Sequence, residues 1–110
     1  MLPYKVSILI SSYNYAHTIE DTFETIKNQT FNFEDIEIIF VDDHSEDNSI
    51  EVIGRLADEF DNVKLYQVPE GQKGVSYPRN IGIEKATADY IVILDADDRL
   101  DSRFIEKTYK

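Results

Sequence analysis

The sequence predicts an α/β protein with an open, mainly parallel sheet and helices on both of its faces. Three observations lead to this. Four short apolar runs recur along the 110 residues, helical apolar patterns separate them, and no internal repeat or linker interrupts the order. Strands that alternate with helices favour a parallel sheet with right-handed crossovers. A chain of this length allows one domain with a modest core.

The four apolar runs are predicted strands at 6–10, 36–41, 63–68 and 90–94. The first, second and fourth are nearly continuous and rich in β-branched residues, which indicates strands that are buried on both faces. The third, "VKLYQV", alternates apolar and polar residues and is therefore expected nearer an edge of the sheet.

Helical patterns lie between and after these runs. In the first, apolar positions 19, 23 and 26 fall on one face, and Thr18 with Asp21 resembles a capping arrangement at its start. The second helix follows three candidate capping residues, Ser45, Asp47 and Asn48. The third is predicted to start near Ser76, with Pro78 in its first turn, and a fourth lies within residues 100–109.

Composition limits the classes of partner. Acidic residues outnumber basic ones 22 to 11, the net charge is −11 and the pI is about 4.4, which argues against non-specific binding to nucleic acid or to an anionic membrane. The absence of cysteine excludes disulfides and thiolate zinc sites and is compatible with a reducing cytoplasm. No apolar stretch reaches the ~20 residues of a membrane span, and no signal peptide is predicted.

Polar clusters follow three of the predicted strands. Residues 11–14 follow the first and residues 42–45 the second, while Asp95, Asp97 and Asp98 follow the last. The carboxyl ends of parallel strands meet at one edge of the sheet, where ligands bind in open α/β sheets. Carboxylates that share a cleft take up protons or are neutralised by a cation, and Mg²⁺ and Mn²⁺ prefer oxygen ligands. The alternative is that "DADD" is merely a polar loop.

The segments "VSILISSYNYAHTIEDTFETIKNQTF", "IEIIFVDDHSEDNS" and "PRNIGIEKATADYIVILDADD" occur in this order. Together they resemble the family 2 glycosyltransferases, which are inverting enzymes with the GT-A fold. The resemblance covers the chain from Lys5 to about Leu100. It implies that residues 1–110 are the N-terminal, nucleotide-sugar-binding part of a truncated GT-A domain, and that the catalytic base lies beyond the end of the chain.

The resemblance also implies roles for individual residues. Ser11 and Tyr13 would line the base pocket, Asp43 would face the base or the ribose, and Asp95 would lie near the ribose. Asp97 with Asp98 would hold the Mn²⁺ or Mg²⁺ ion that grips the diphosphate. Lys73 and Arg79 match the region where the family places basic groups near the nucleotide.

Structural alternatives exist for most of these residues. Tyr13 would then cover the sheet edge, and Asp42 and Asp43 would cap the following helix. Arg79 would pair with a neighbouring acid, Glu84 or Asp89, and Lys73 would be solvated. His17 and His44 match no metal motif.

The implied reaction is the transfer of a sugar from a nucleotide-diphosphate sugar, UDP being the commonest nucleotide in the family, to an acceptor hydroxyl. The acceptor would be a carbohydrate, a lipid-linked glycan or a polymer, as in bacterial polysaccharide or teichoic acid synthesis, and "SYPRN" is similar to a segment of wall teichoic acid glycosyltransferases. The expected location is the cytoplasm, with peripheral association of the full-length protein at the inner face of the membrane as the alternative.

Three other functions are weighed against this one. A haloacid-dehalogenase-type phosphotransferase would use Asp95 as nucleophile and Asp97 as acid/base, but Arg99 stands where that family usually has Thr or Val. A receiver domain would need an acid pair after the first strand, where this chain has "SSYN". A nucleotide-binding fragment without activity is the third.

Overall fold

The computed structural model describes residues 3–71 and 76–109. A short 3-10 helix, Phe33–Asp35, precedes the second strand. The strands and α-helices follow in the order β1 (Val6–Ser12), α1 (Ala16–Lys27), β2 (Ile36–Asp42), α2 (Ser49–Glu59), β3 (Val63–Gln67), α3 (Ser76–Lys85), β4 (Tyr90–Asp95) and α4 (Phe104–Thr108).

The strands form one parallel sheet in the order β3-β2-β1-β4. Strands that are consecutive along the chain are joined through a helix, as the alternating pattern in the sequence predicts. The open parallel α/β fold is therefore confirmed, and so is the edge position of the third strand. β1 lies at the centre, hydrogen-bonded to β2 on one side and to β4 on the other.

Apolar side chains pack on both faces of the sheet, which explains the continuous apolar runs of β1 and β2. Alternate residues point to opposite faces, so that Ile8 and Leu9 of β1 enter different clusters. Helices α1, α2 and α4 cover one face, and α3 covers the other. The predicted stripe of α1 is confirmed as the buried face of the helix, formed by Ile19, Phe23 and Ile26.

The position of β4 corrects one prediction. Its apolar run indicates a strand buried on both faces, but β4 lies at an edge of the sheet and the Ile93 side chain is 44% exposed. An apolar run shows that a strand has side chains suited to burial on both faces. Whether those side chains are buried depends on the strands and helices that lie beside it, which the run itself does not indicate.

The helix starts differ in part from the prediction. Helix α1 begins at Ala16 without a side-chain cap from its N-cap residue, so that Thr18 lies inside its first turn rather than at its start. At α2 the capping candidate Asp47 is confirmed, because it accepts hydrogen bonds from the Ser49 backbone and hydroxyl, whereas the candidate Asn48 makes no capping bond. In the described part of the chain, no helix has the length and apolar character that a membrane span requires.

Candidate functional site

The strand register aligns the polar residues at the carboxyl edge of the sheet. Ser11 pairs with Val41 of β2 on one side and with Asp95 of β4 on the other. One residue later, Ser12 pairs with Asp42. The segments that follow β1, β2 and β4 therefore leave the sheet at the same level and on neighbouring strands.

A cleft of about 330 Å³ opens at this edge, and we refer to it as the edge cleft. The described residues that are predicted from the sequence to bind a nucleotide all line it. Lys73 lies outside the described residues. The lining consists of Ser11, Ser12, Tyr13, Tyr15, Asp43, Pro78, Arg79, Ile93 and Asp95.

The edge cleft combines three kinds of group. The Tyr13 side chain is 52% exposed and offers an aromatic surface. Asp43 and Asp95 supply carboxylate acceptors, and Arg79 supplies a guanidinium group with several N–H donors. An aromatic face, acceptors for hydroxyl or N–H groups and a cation are the features that a nucleotide needs from its site.

The two neighbouring aspartates after β2 do different things. Asp42 is fully buried, and its carboxylate accepts hydrogen bonds from the backbone N–H (2.8 Å) and the hydroxyl of Ser45. Asp43 is partly exposed on the edge cleft, and its N–H donates to the Ser12 carbonyl at 2.9 Å. Asp42 therefore shapes the loop, while Asp43 lines the edge cleft.

Asn14 joins the loops after β1 and β2, a role that the sequence analysis missed. Its side-chain Oδ1 accepts hydrogen bonds from the backbone N–H groups of Glu46 (2.7 Å) and Asp47 (3.3 Å), and its own N–H donates to Ser45 Oγ at 2.9 Å. Its φ is +58°, a conformation in which Asn is enriched among non-glycine residues. The sequence signal that could have identified this role is an Asn shortly after the end of a strand.

Asp47 completes this connection from the α2 side. Its Oδ2 accepts a hydrogen bond from the Ala16 N–H at 3.1 Å, so that it links the starts of α1 and α2. The hydrogen bond from the Ser49 hydroxyl lowers the pKa of the Asp47 carboxyl, and hydrogen bonds from backbone N–H groups lower it further. Desolvation acts in the opposite direction but is outweighed. The carboxylate is thus the form that this loop stabilises.

The residues that follow β4 form an acidic turn, which we define as residues 95–98. Oxygen atoms from the carboxylates of Asp95, Asp97 and Asp98 lie within 4.8 Å of one another, and all three residues are exposed. Asp98 closes the turn, because its Oδ2 accepts from the Asp95 N–H (2.8 Å) and its N–H donates to the Asp95 carbonyl (3.0 Å).

The acidic turn offers the carboxylate oxygens that hard divalent cations prefer. Such ions bind carboxylate oxygens at about 2.0–2.6 Å, so two ligands of one ion lie at most about 4.0–5.2 Å apart. The spread of up to 4.8 Å suits a larger ion as it stands, whereas a small ion such as Mg²⁺ requires the oxygens to move closer together. Sequence reasoning assigned Asp97 and Asp98 to the metal and Asp95 to the nucleotide, whereas Asp95 belongs to both the turn and the edge cleft.

Ser12 is a second residue that the sequence analysis did not single out. It lines the edge cleft but is only 1% exposed, and its hydroxyl has no hydrogen-bond partner among residues 3–71 and 76–109. A buried hydroxyl without a partner costs free energy, so a water or ligand atom there would be stabilising.

The model of the family described as "Glycosyl transferase family 2" matches residues 7–110. The chain belongs to this family. Its glycosyltransferase relatives include an uncharacterized one of Haemophilus influenzae, 39% identical over 93% of this chain and 40% of the relative. Another is the poly(ribitol-phosphate) β-N-acetylglucosaminyltransferase TarP of Staphylococcus aureus, 33% identical over 96% of this chain and 32% of the relative. The chain thus spans well under half the length of either glycosyltransferase.

Solved structures of glycosyltransferases have the same fold. S. aureus TarS in complex with UDP-GlcNAc superposes with a TM-score of 0.84 at 23% identity, over 94% of this chain and 29% of TarS. The mannosyltransferase of Pyrobaculum calidifontis in complex with GDP-Man and Mn²⁺ gives a TM-score of 0.76 at 28% identity, over 90% of this chain and 29% of that enzyme. The GT-A fold that the sequence resemblance implies is confirmed.

Proposed function

We propose that residues 1–110 form the nucleotide-sugar-binding part of an inverting, metal-dependent glycosyltransferase. The observation that carries the proposal is the junction of two features at one sheet edge. The edge cleft offers an aromatic face, carboxylates and a guanidinium group, and Asp95 connects it to the acidic turn. A nucleoside fits the first feature, and a metal-bound diphosphate fits the second.

In this proposal the nucleoside lies in the edge cleft. The exposed ring of Tyr13 stacks on the base, since aromatic stacking tolerates any base and contributes about 1–3 kcal/mol in single-stranded nucleic acid complexes. Asp43 accepts a hydrogen bond from a base N–H or a ribose hydroxyl, and Asp95 accepts one from the ribose. Ser11, which pairs with Asp95 in the sheet, supplies a hydroxyl on the same side.

The diphosphate lies between Arg79 and the acidic turn. Arg79 is exposed on the edge cleft and can donate two N–H groups to phosphate oxygens. Lys73 is assigned to the same anion from the sequence resemblance alone. Asp97 and Asp98, with Asp95 beside them, would hold Mn²⁺ or Mg²⁺. An ion bound there neutralises the negative charge that develops on the leaving diphosphate.

The reaction then transfers the sugar in one displacement. An acceptor hydroxyl attacks the anomeric carbon from the face opposite the nucleotide and gives its proton to a general base. The bond from that carbon to the diphosphate oxygen breaks, the electron pair leaves with the diphosphate, and the configuration inverts. We assign the general base to no residue of this chain.

We propose a UDP-sugar as the donor and a carbohydrate or polymer hydroxyl as the acceptor. The complexes of TarS with UDP and UDP-GlcNAc support the choice of UDP. The TarP name and that of a poly(ribitol-phosphate) β-glucosyltransferase of Bacillus spizizenii support a polymer of the teichoic acid type. The Pyrobaculum enzyme with GDP-Man makes GDP the alternative to test.

Calorimetric titration of the chain with UDP, GDP and dTDP, each with and without Mn²⁺, tests the proposal. We expect UDP to bind most tightly and Mn²⁺ to strengthen its binding at least about tenfold, since the carboxylates of the acidic turn would hold the ion and would then repel the diphosphate less. Uridine without phosphates is the matched control, because it should bind without regard to Mn²⁺. Binding that depends on neither the base nor the metal would contradict the proposal.

A further inference from the structure

Helix α1 and the residues just after it direct a row of polar side chains toward the segment that contains the acidic turn. The first three, at a spacing of four and three residues, lie on one side of the helix, and the fourth follows shortly after the helix ends at Lys27. We call this row the α1 clamp, and it consists of Thr18, Thr22, Thr25 and Gln29. All four make hydrogen bonds to residues between 96 and 105.

Two members of the α1 clamp bind the backbone of Ala96, which lies between two of the acidic residues. The Ala96 carbonyl accepts hydrogen bonds from the hydroxyls of Thr18 (3.0 Å) and Thr22 (2.8 Å), while its N–H donates to the Ser11 carbonyl at 3.2 Å. Its methyl group is fully buried in the core. The backbone of Ala96 is thus held from two sides.

Fixing Ala96 fixes the directions of its neighbours. With the Ala96 side chain in the core, Asp95 and Asp97 are left exposed on the outside of the turn. Three carboxylates within 4.8 Å repel one another before a cation binds. A turn without support would relax by moving the carboxylates apart, and the two threonine hydroxyls oppose that movement.

The remaining members of the clamp hold the segment after the turn. Thr25 Oγ1 accepts a hydrogen bond from the Leu100 N–H at 3.2 Å. The buried side chain of Gln29 donates to the Asp101 carbonyl (2.7 Å) and accepts from the Ile105 N–H (3.0 Å). Gln29 belongs to the "NQTF" segment, to which the sequence analysis gave no role.

We infer that Thr22, supported by Thr18, is a positioning residue that holds the acidic turn in the geometry required for a divalent cation. Thr22 is buried, is absent from the lining of the edge cleft and acts through the Ala96 carbonyl. The inference rests on the proposed metal-dependent function. Residues that orient metal ligands typically change metal affinity by about 10- to 100-fold when they are replaced.

The experiment measures Mn²⁺ binding to the chain from the loss of the free-ion signal in electron paramagnetic resonance, with and without UDP. Thr22→Val removes the hydroxyl at nearly constant shape, and Thr22→Ser keeps it. We expect the valine variant to bind Mn²⁺ about tenfold more weakly, the low end for such residues. The serine variant should stay close to the wild type, and adding Thr18→Val to Thr22→Val should weaken binding further.

A destabilised variant that leaves the turn alone separates positioning from folding. Val63 belongs to the same core cluster but lies on β3, the strand farthest from β4. Val63→Ala should lower the melting temperature at least as much as Thr22→Val and leave Mn²⁺ affinity unchanged. Hydrogen exchange should be faster in Thr22→Val at the Asp95 and Asp98 amides, which close the turn.

Three results overturn the inference in distinguishable ways. If the wild type binds Mn²⁺ and Thr22→Val binds it equally well, α1 does not position the turn, while the proposed function is unaffected. If the folded wild type binds no Mn²⁺ at millimolar concentration even with UDP, the proposed metal role fails, and the inference fails with it. Equal losses of affinity in Val63→Ala and Thr22→Val would assign the effect to stability.

Discussion

Ser11 and Asp95 lie side by side as the last paired residues of the central strand and its edge neighbour, β1 and β4. Both line the edge cleft, and Asp95 also begins the acidic turn. The cleft and the turn are therefore one continuous surface at the carboxyl edge of the sheet. A ligand that occupies both would contact the aromatic ring of Tyr13 and the guanidinium group of Arg79 in the cleft as well as the carboxylates of the turn.

Asp97→Asn should abolish most of the increase in UDP affinity that Mn²⁺ is expected to cause. The substitution keeps the shape of the side chain but removes one of three carboxylates that can share the ion. We expect at least a tenfold weaker affinity with Mn²⁺, about the smallest loss reported for disturbed metal sites, and little change without it. Calorimetry in both conditions measures the difference.

Asp101→Asn is the matched control for that experiment. It changes the net charge by the same amount, but Asp101 lies outside the acidic turn and forms a surface ion pair with Lys107 at 3.6 Å. Such exposed pairs contribute about 0–1 kcal/mol to stability. If both asparagine variants lowered Mn²⁺-dependent binding equally, the effect would come from the overall field of the protein and not from a metal site.

Asn14→Ala should destabilise the fold by about 1–3 kcal/mol, because it strains the backbone at φ +58° and removes the acceptor for two N–H groups of the neighbouring loop. Asn14→Gly loses the same acceptor but tolerates the positive φ. We therefore expect the glycine variant to lie between alanine and wild type in urea unfolding. Equal values for alanine and glycine would show that backbone strain contributes nothing at this position.

The sheet was predictable from sequence because β-branched apolar runs and intervening helical patterns are local signals. The same logic failed at β4, where exposure depends on which strands are its neighbours. The site followed the sheet, since parallel topology brings the segments after β1, β2 and β4 to one edge. Local patterns thus predicted that the segments containing Tyr13, Asp43 and Asp95 meet at one edge of the sheet, where all three residues line the edge cleft.

Local sequence patterns could not predict contacts between segments that are far apart along the chain. Thr18 resembled a helix cap, yet its hydroxyl donates to Ala96, 78 residues away. Nothing near Thr18 in the sequence identifies that partner. For the same reason the functions of Asn14 and Gln29 emerge only when the loops of different strands are placed side by side.

Arg79→Ala should weaken the binding of UDP but not that of uridine. Arg79 lines the edge cleft at an exposed position, so a contact with phosphate there would be screened by solvent. We expect about a fivefold loss for UDP, corresponding to the ~1 kcal/mol of an exposed charge pair, and a smaller loss at high salt. Titration of both ligands at two salt concentrations measures this.

Arg55→Ala provides the comparison, because Arg55 is an exposed arginine on α2 that does not line the edge cleft. It removes the same charge and should leave both affinities unchanged. A loss of uridine affinity in Arg79→Ala as large as the loss for UDP would assign Arg79 to the nucleoside or to the shape of the cleft.

Glu37 forms a buried polar network on β2, away from the edge cleft. Its Oε1 accepts hydrogen bonds from the Ser7 hydroxyl (2.8 Å) and from the backbone and hydroxyl of Thr87 (both 3.0 Å), and its Oε2 lies 3.2 Å from Lys64 Nζ. Burial alone would raise the pKa of the Glu37 carboxyl. The hydrogen bonds from Thr87, Ser7 and Lys64 outweigh it, and the pKa lies below the ordinary value of 4.5.

Glu37→Gln should therefore flatten the acid side of the stability profile. Because the folded pKa is lowered, the stabilisation from Glu37 is fully present above the unfolded pKa and is lost as the pH falls through the folded pKa. We expect the variant to be less stable than the wild type at neutral pH, and the two unfolding free energies to converge as the pH falls below the folded pKa of Glu37. Urea unfolding at a series of pH values measures this, with Glu51→Gln, an exposed substitution on α2, as the control for the loss of one charge. Parallel curves for the wild type and Glu37→Gln would mean that the folded and unfolded states bind the proton at Glu37 equally well.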